Sequence, residues 1–289
     1  MMESNKMINK VKMKRHESFT IREGWLSKGL LALDDNEKVF SSEDATDILG
    51  IGTNMVKSLK YWLYATNLIK DNKNKIEITD FGKLILQYDP YMEDSFTWWM
   101  IHINMVLNQN DFFVGNLFFN KLISKNFSKE DVFNCVSESL NQKKLEFNEK
   151  ILIDEINVII KTYVIDNSNE NPENNFSCPL AELELLKRIS KDNYERLKPN
   201  YRNLDYLAVY YLLLNLLDDR EYISIDDLLK INNSPTRILN LDKNACNDYL
   251  DDMRRAGLVD INRTAGLNMV YVTNKLTLSD LFSKYYNRR

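Results

Sequence analysis

The tripeptide Gly50-Ile51-Gly52 constrains this chain most, because it divides two helix-period segments and a strand-period hairpin follows directly. With only 8 glycines and 5 prolines in 289 residues, two glycines in three positions mark a turn that needs positive φ. Before the turn, Ser41 or Ser42 caps a short helix over 43–49, with Glu43 and Asp44 where the helix dipole favours acids. After it, Thr53 caps a helix over 54–65 whose Met55, Val56, Leu59, Trp62 and Leu63 fall on one face. Residues 68–70 and 76–79 then flank a polar turn at 71–74, which reads as a β-hairpin. Helix, tight turn, helix and hairpin in that order predict a winged helix-turn-helix.

A second stretch, 204–273, follows the same plan with a different sequence. A very apolar helix over 206–217 precedes a short one starting near Ser224 and another over 242–256, which Gly257 terminates. Residues 258–261 and 269–272 form its hairpin, and the irregular 232–240 segment contains Pro235. Between the two stretches, apolar segments at 96–107, 114–123, 132–140 and 151–164 predict helices. The Asn-rich 166–177 reads as an exposed loop. No repeat is evident at solenoid periods. The expected fold is mainly α: a basic arm and N-terminal winged helix-turn-helix over 1–88, a central helical domain over 89–200, and a C-terminal winged-helix-like domain over 201–289.

The net charge of −4 gives no global attraction to nucleic acid, so recognition of a polyanion must use a local patch. Cys135, Cys178 and Cys246 are odd in number and widely spaced, which predicts reduced thiols and a cytoplasmic protein. The start carries lysines and no apolar core of a signal peptide. The longest apolar run, 96–107, is too short for a membrane helix.

The two presumed recognition helices differ in charge. Opposite its apolar stripe, the first presents Asn54, Lys57, Lys60, Tyr61 and Tyr64, two cations and no acid, with Thr53 at its start. Lys70, Lys73 and Lys75 surround the hairpin turn. Lysines neutralise phosphates, and an asparagine near a helix start can reach a base edge. Lys6, Lys10, Lys12, Lys14 and Arg15 add a basic arm. The second helix carries Asp248, Asp251 and Asp252 beside Lys243, Arg254 and Arg255, which suits a protein contact or a structural role. Residues 1–83 have a net charge of +2 and the remainder −6.

Three further clusters could carry chemistry. Within 14–29, His16 and Glu17 could serve as an acid/base or metal-binding pair with Arg22 or Lys28 on a phosphate, or could belong to an ion-paired turn over Phe19, Trp25 and Leu26. Asp89, Glu93 and Asp94 could hold Mg²⁺, but Asp-Pro before acids and an apolar run is also a helix start, which is the favoured reading. His102 lies on an almost wholly apolar helix and reads as a hydrogen-bonded core histidine. No Walker A loop, G-x-G-x-x-G, H-E-x-x-H or Glu-x-Lys occurs, and two histidines in all exclude nucleases built on several histidines.

The segments RHESFTIREGWLSKGL, LGIGTNMVKSLKYW, DPYMEDSFTWWMIH and CPLAELELL appear in that order, and together they resemble the prokaryotic domain-of-unknown-function family 4007. That resemblance implies a protein of DNA phosphorothioation and related phage-defence clusters, with DNA as its substrate and no membrane partner. It implies protein partners as well, a sulfurtransferase resembling PAPS reductase and an ATPase; a homodimer is compatible. SspB-like members are implicated in nicking DNA for sulfur insertion, so an alternative is a Mg²⁺- or Mn²⁺-dependent nickase using carboxylates such as Glu17, Glu23, Asp89 or Glu93. A third reading is a non-catalytic adaptor that docks proteins. The motifs single out His16, Glu17, Arg22, Trp25, Lys28, Asn54, Lys57 and Asp89 without assigning roles.

Overall fold

The computed structural model describes residues 13–73, 75–165, 178–264 and 268–288, so Lys12 with the rest of the arm and the 166–177 loop lie outside the described residues. The molecule is mainly helical with small sheets. It opens with α1 (Trp25–Asp35), a 3-10 turn (Val39–Ser41), α2 (Ala45–Leu49) and α3 (Thr53–Ala65), followed by the antiparallel hairpin β1 (Ile69–Asn72) and β2 (Lys75–Ile78). Helices α4 (Asp80–Tyr88) and α5 (Ser95–Leu107) then lead into a middle unit. This unit comprises α6 (Phe113–Lys121), β3 (Asn126–Ser128), α7 (Lys129–Gln142), α8 (Glu149–Tyr163), a 3-10 turn (Pro179–Leu183), β4 (Leu186–Arg188) and β5 (Asn193–Arg196). The last unit has α9 (Tyr206–Leu217), β6 (Tyr222–Ser224), α10 (Ile225–Lys230), α11 (Pro235–Ile238), α12 (Lys243–Arg255), β7 (Val259–Asn262) and β8 (Met269–Val272), closed by α13 (Leu278–Tyr286).

The order helix, strand, helix, helix, hairpin therefore recurs, with a 3-10 turn in place of the first strand in the first unit, a 3-10 turn before the hairpin in the second, and the extra short helix α11 in the third. Both three-stranded sheets place the last strand in the centre, β3-β5-β4 and β6-β8-β7. Each hairpin is entered the same way. Asn67, Glu184 and Gly257 take positive φ of 59°, 53° and 69°, and each is followed by a buried leucine, Leu68, Leu185 or Leu258. The residue after the second strand then donates its N–H to that leucine's carbonyl: Thr79 to Leu68 at 3.0 Å, Leu197 to Leu185 at 2.9 Å, and Thr273 to Leu258 at 3.0 Å. A faint signature accompanies the geometry, Phe40-Ser41-Ser42-Glu43-Asp44, Phe127-Ser128-Lys129-Glu130-Asp131 and Ile223-Ser224-Ile225-Asp226-Asp227. In the second and third units the serine caps the next helix, and Ser128 and Asp131 form a reciprocal capping box.

The middle region thus holds a three-stranded sheet as well as the four anticipated helices. Other differences are local. Gly52, not Thr53, is the N-cap of α3, and α2 starts after Asp44 without a side-chain cap. Asp94, not Asp89, caps α5, by accepting from the Phe96 N–H at 2.8 Å. Asp89 instead accepts from the Glu93 and Asp94 N–H groups at 3.0 Å each and from the Thr97 hydroxyl at 2.6 Å.

One apolar core runs through all three units, centred on Trp62, Trp99, Phe118, Phe119, Tyr163 and Phe282. The last helix binds the ends together: Tyr285 stacks on Phe96 at 4.0 Å between ring centres, and Phe282 meets Phe81 edge-on at 6.2 Å. Arg196 joins the middle and last units by donating to the carbonyls of Leu122 and Arg237 and to the Asn240 amide. Among the described residues, no helix is long and apolar enough to cross a membrane.

Candidate nucleic-acid interface

Helix α3 is built on an inward face of Val56, Leu59, Trp62 and Leu63, all buried, with Ser58 among them. This stripe seats it on α1 and α2 and turns Thr53, Asn54 and Lys57 to solvent, with Lys60 half-buried. Lys70, Lys73 and Lys75 are exposed on the hairpin, and Lys28 reaches the Leu49 carbonyl at 3.3 Å, beside the Gly50–Gly52 turn. No ion pair among the described residues takes Lys57, Lys60, Lys70 or Lys73.

Tyr61 and Tyr64 do not belong to this exposed face. Both are buried: the Tyr61 hydroxyl donates to the carbonyl of Asp111, remote in sequence, at 2.9 Å, and the Tyr64 hydroxyl to Asp71 on the adjoining hairpin at 2.5 Å. Burial pushes the Tyr61 phenol well above its ordinary range, and the nearby charges of Glu155 and Asp111 push the same way.

The three equivalent helices carry different charges. Helix α3 has two lysines and no acid, whereas α8 carries Glu149, Asp154 and Glu155, and α12 carries Asp248, Asp251 and Asp252. In α12 the acids also pair with cations, Asp251 with Arg263 at 3.1 Å and Asp252 with Arg255. With Lys150 and Lys161 on α8 and Lys243, Arg254 and Arg255 on α12 counted, α3 alone of the three carries a net positive charge.

The segment leading to α1 is anchored rather than open. Lys14 pairs with Asp154 at 3.2 Å, and its N–H donates to Glu155; Arg15 pairs with Asp111 and lies over the Tyr61 ring. Arg22 packs over Phe19 and Trp25, 5.7 and 5.2 Å from their ring centres. His16 is buried, roughly parallel to Trp62 with ring centres 6.2 Å apart, and its Nδ1 accepts from the Ser18 N–H at 3.0 Å. Its Nε2 lies 3.1 Å from Glu155 Oε1, within ion-pair reach but off the N–H direction that a hydrogen bond needs.

Glu17 is exposed, and among the described contacts it does not meet His16; the carboxylate beside the imidazole is Glu155. Sequence reasoning passed over Glu155, although a signal existed: it occupies the apolar stripe of α8 with Leu152, Ile156 and Ile159. Lys14, Glu17 and Ser18 all have positive φ (61°, 48° and 66°), an arrangement that persists only where surrounding contacts enforce it.

Among the described residues no group of three or more His, Cys, Asp or Glu side chains converges as a metal site. Asp89 is buried with both carboxylate oxygens engaged by the backbone and Thr97. With both oxygens taken, Asp89 is not free to serve as a cation ligand. His102 is a core residue, hydrogen-bonded on both ring nitrogens.

Residues 13–286 match the family model described as a protein of unknown function, DUF4007. Two solved structures share the fold over 96% of this chain and 88% of theirs, at 21% identity. These are a magnesium ion-bound SspB crystal structure, with a TM-score of 0.84, and an SspB crystal structure, with a TM-score of 0.82. No curated protein matches the sequence. With all but the extremities of its length matched by the family model, the chain belongs to the DUF4007 family.

Proposed function

We propose that this protein is a DNA-binding component of a prokaryotic phosphorothioation or related defence system, and that it contacts duplex DNA through α3 and the hairpin behind it. The first unit is read here as a winged helix-turn-helix, with α3 as recognition helix and β1–β2 as wing, and the other two units as diverged copies. The observation that carries the reading is the charge of α3: Lys57 and Lys60 face outward or half outward with no acid on the helix, and Lys73 extends the patch along the wing. Asn54 stands in the first turn, where a recognition helix reaches base edges. Thr53 and Lys28 flank the same turn. The phosphorothioation context follows from the family resemblance and from the likeness to SspB, and it names a PAPS-reductase-like sulfurtransferase and an ATPase as partners.

Lys14, Arg15 and Arg22 serve mainly to fasten the N-terminal segment on this reading, since each is already held by an acid or an aromatic ring. His16 is a positioning residue for the α3–α8 junction, with Glu17 outside it. One of the SspB structures is magnesium ion-bound; no catalytic step through a metal is assigned to this chain. A mobility-shift titration on duplex DNA across a range of salt concentrations tests the reading. Affinity should fall steeply with salt, by a log–log slope of about −0.9 per phosphate contact. Absence of any shift at low salt would contradict it.

A further inference from the structure

Beside the end of α3 lies a cavity of about 590 Å³ that duplex contact leaves unused. Its walls come from Tyr64, from Asn67 and Lys70 at the start of the hairpin, from the loop after α5, and from α9. Among the described residues, Ile69 and Leu107 are its only aliphatic lining, which disfavours an apolar ligand. Its charges balance: Arg15 is paired with Asp111, and Asp71, which accepts from Tyr64, stands next to Lys70. The cavity therefore suits a neutral ligand rather than an ion.

The remaining lining is amide and phenol. Asn67, Asn110 and Asn215 are exposed, and Tyr211 offers a half-buried ring. The walls are fixed from behind: Asn104 Oδ1 accepts from the Tyr211 hydroxyl at 2.9 Å and from Asn67 Nδ2 at 3.3 Å, and Asn108 Nδ2 donates to the Tyr64 carbonyl at 2.8 Å. Amide edges beside aromatic rings suit a flat neutral group with several donors and acceptors, which is the chemistry of a nucleobase. Position points the same way. Tyr64 lies one turn beyond Lys60 on α3, and Lys70 opens the hairpin that carries Lys73.

We propose that this cavity takes one unstacked base of a DNA strand whose backbone lies on the α3 face. The proposal rests on the DNA-binding reading above and deepens it, by making an unpaired or extruded base part of the ligand. The test measures fluorescence anisotropy with the full chain, on a labelled perfect duplex and on the same duplex carrying a single-nucleotide 2-aminopurine bulge. The wild type should bind the bulged duplex about tenfold tighter, with a change in 2-aminopurine emission. The double variant Asn110→Ala/Asn215→Ala, both positions exposed, should keep the perfect-duplex affinity and its thermal unfolding midpoint while losing the preference.

Equal wild-type affinities for the two duplexes would overturn the cavity assignment and leave the DNA reading standing. So would a preference that survives in the variant. Failure to bind either duplex would overturn both.

Discussion

His102 Nε2 donates to the Ile238 carbonyl oxygen across 2.9 Å, tying α5 to α11 in the last unit. A carbonyl can only accept, so Nε2 carries the proton and Nδ1 accepts from the Tyr163 hydroxyl at 2.7 Å. The ring is neutral and fully buried, and burial pulls its pKa from 6.5 down to about 4. The unfolded chain therefore takes up a proton below pH 6.5 that the folded chain refuses until about pH 4. Stability from this residue is complete above pH 6.5 and is lost as pH falls toward 4. Urea unfolding at pH 7.5 and pH 5 should show the advantage of wild type over His102→Gln shrinking by about 2 kcal/mol. An unchanged difference would mean that the folded ring takes up a proton as readily as it does in the unfolded chain.

Ser58 and Tyr194 are fully buried with hydroxyls that find no partner among the described residues. A buried unpaired hydroxyl is a cost that an apolar replacement removes. Ser58→Ala should raise stability by about 1 kcal/mol, and Tyr194→Phe should match or exceed wild type. A loss of stability in either variant, read by thermal unfolding, would reveal a hydrogen bond that this account lacks.

Gly82 packs against the carbonyl that closes the first hairpin. An added Cβ would lie 2.5 Å from the Leu68 oxygen and 2.7 Å from Ile78 Cγ2, and that oxygen already accepts from the Thr79 N–H. Gly82→Ala should therefore cost about 2 kcal/mol through forced displacement of the hairpin. Wild-type stability in that variant would show that the α4–hairpin junction yields easily.

Asp89 should behave as a structural carboxylate. Asp89→Ala removes the acceptor of two backbone N–H groups and the Thr97 hydroxyl, so unfolding free energy should fall by about 3 kcal/mol. Little change in stability with an altered affinity for Mg²⁺ or Mn²⁺ would point instead to a ligand role.

The longer elements were legible because each is local. The α3 stripe, the β1–β2 hairpin, α5 and the α12–Gly257 stop all declare themselves within one window of sequence. The β3-β5-β4 sheet escaped notice because strands such as Asn126–Ser128 are only three residues long, and β4 follows α8 only after an intervening segment. Two copies of the plan declare themselves in the sequence, and the middle one does not, because little beyond a serine, acids and a following apolar residue marks it.

Helical spacing points Tyr61 and Tyr64 outward because it cannot foresee Asp111 approaching from the loop after α5, or Asp71 from the neighbouring hairpin. Adjacency in sequence likewise pairs His16 with Glu17, while the carboxylate beside it, Glu155, comes from α8.

The central claim is that α3 touches the phosphate backbone, and reversing its charge tests it most directly. Lys57→Glu/Lys60→Glu alters two side chains that make no ion pair among the described residues, so the fold should survive with an unchanged circular dichroism spectrum. Affinity for duplex DNA, measured by anisotropy at low salt, should fall below detection. Neutralising the same lysines to alanine should reduce the salt slope by about 2. Wild-type affinity and salt slope in the charge-reversed protein would contradict the claim.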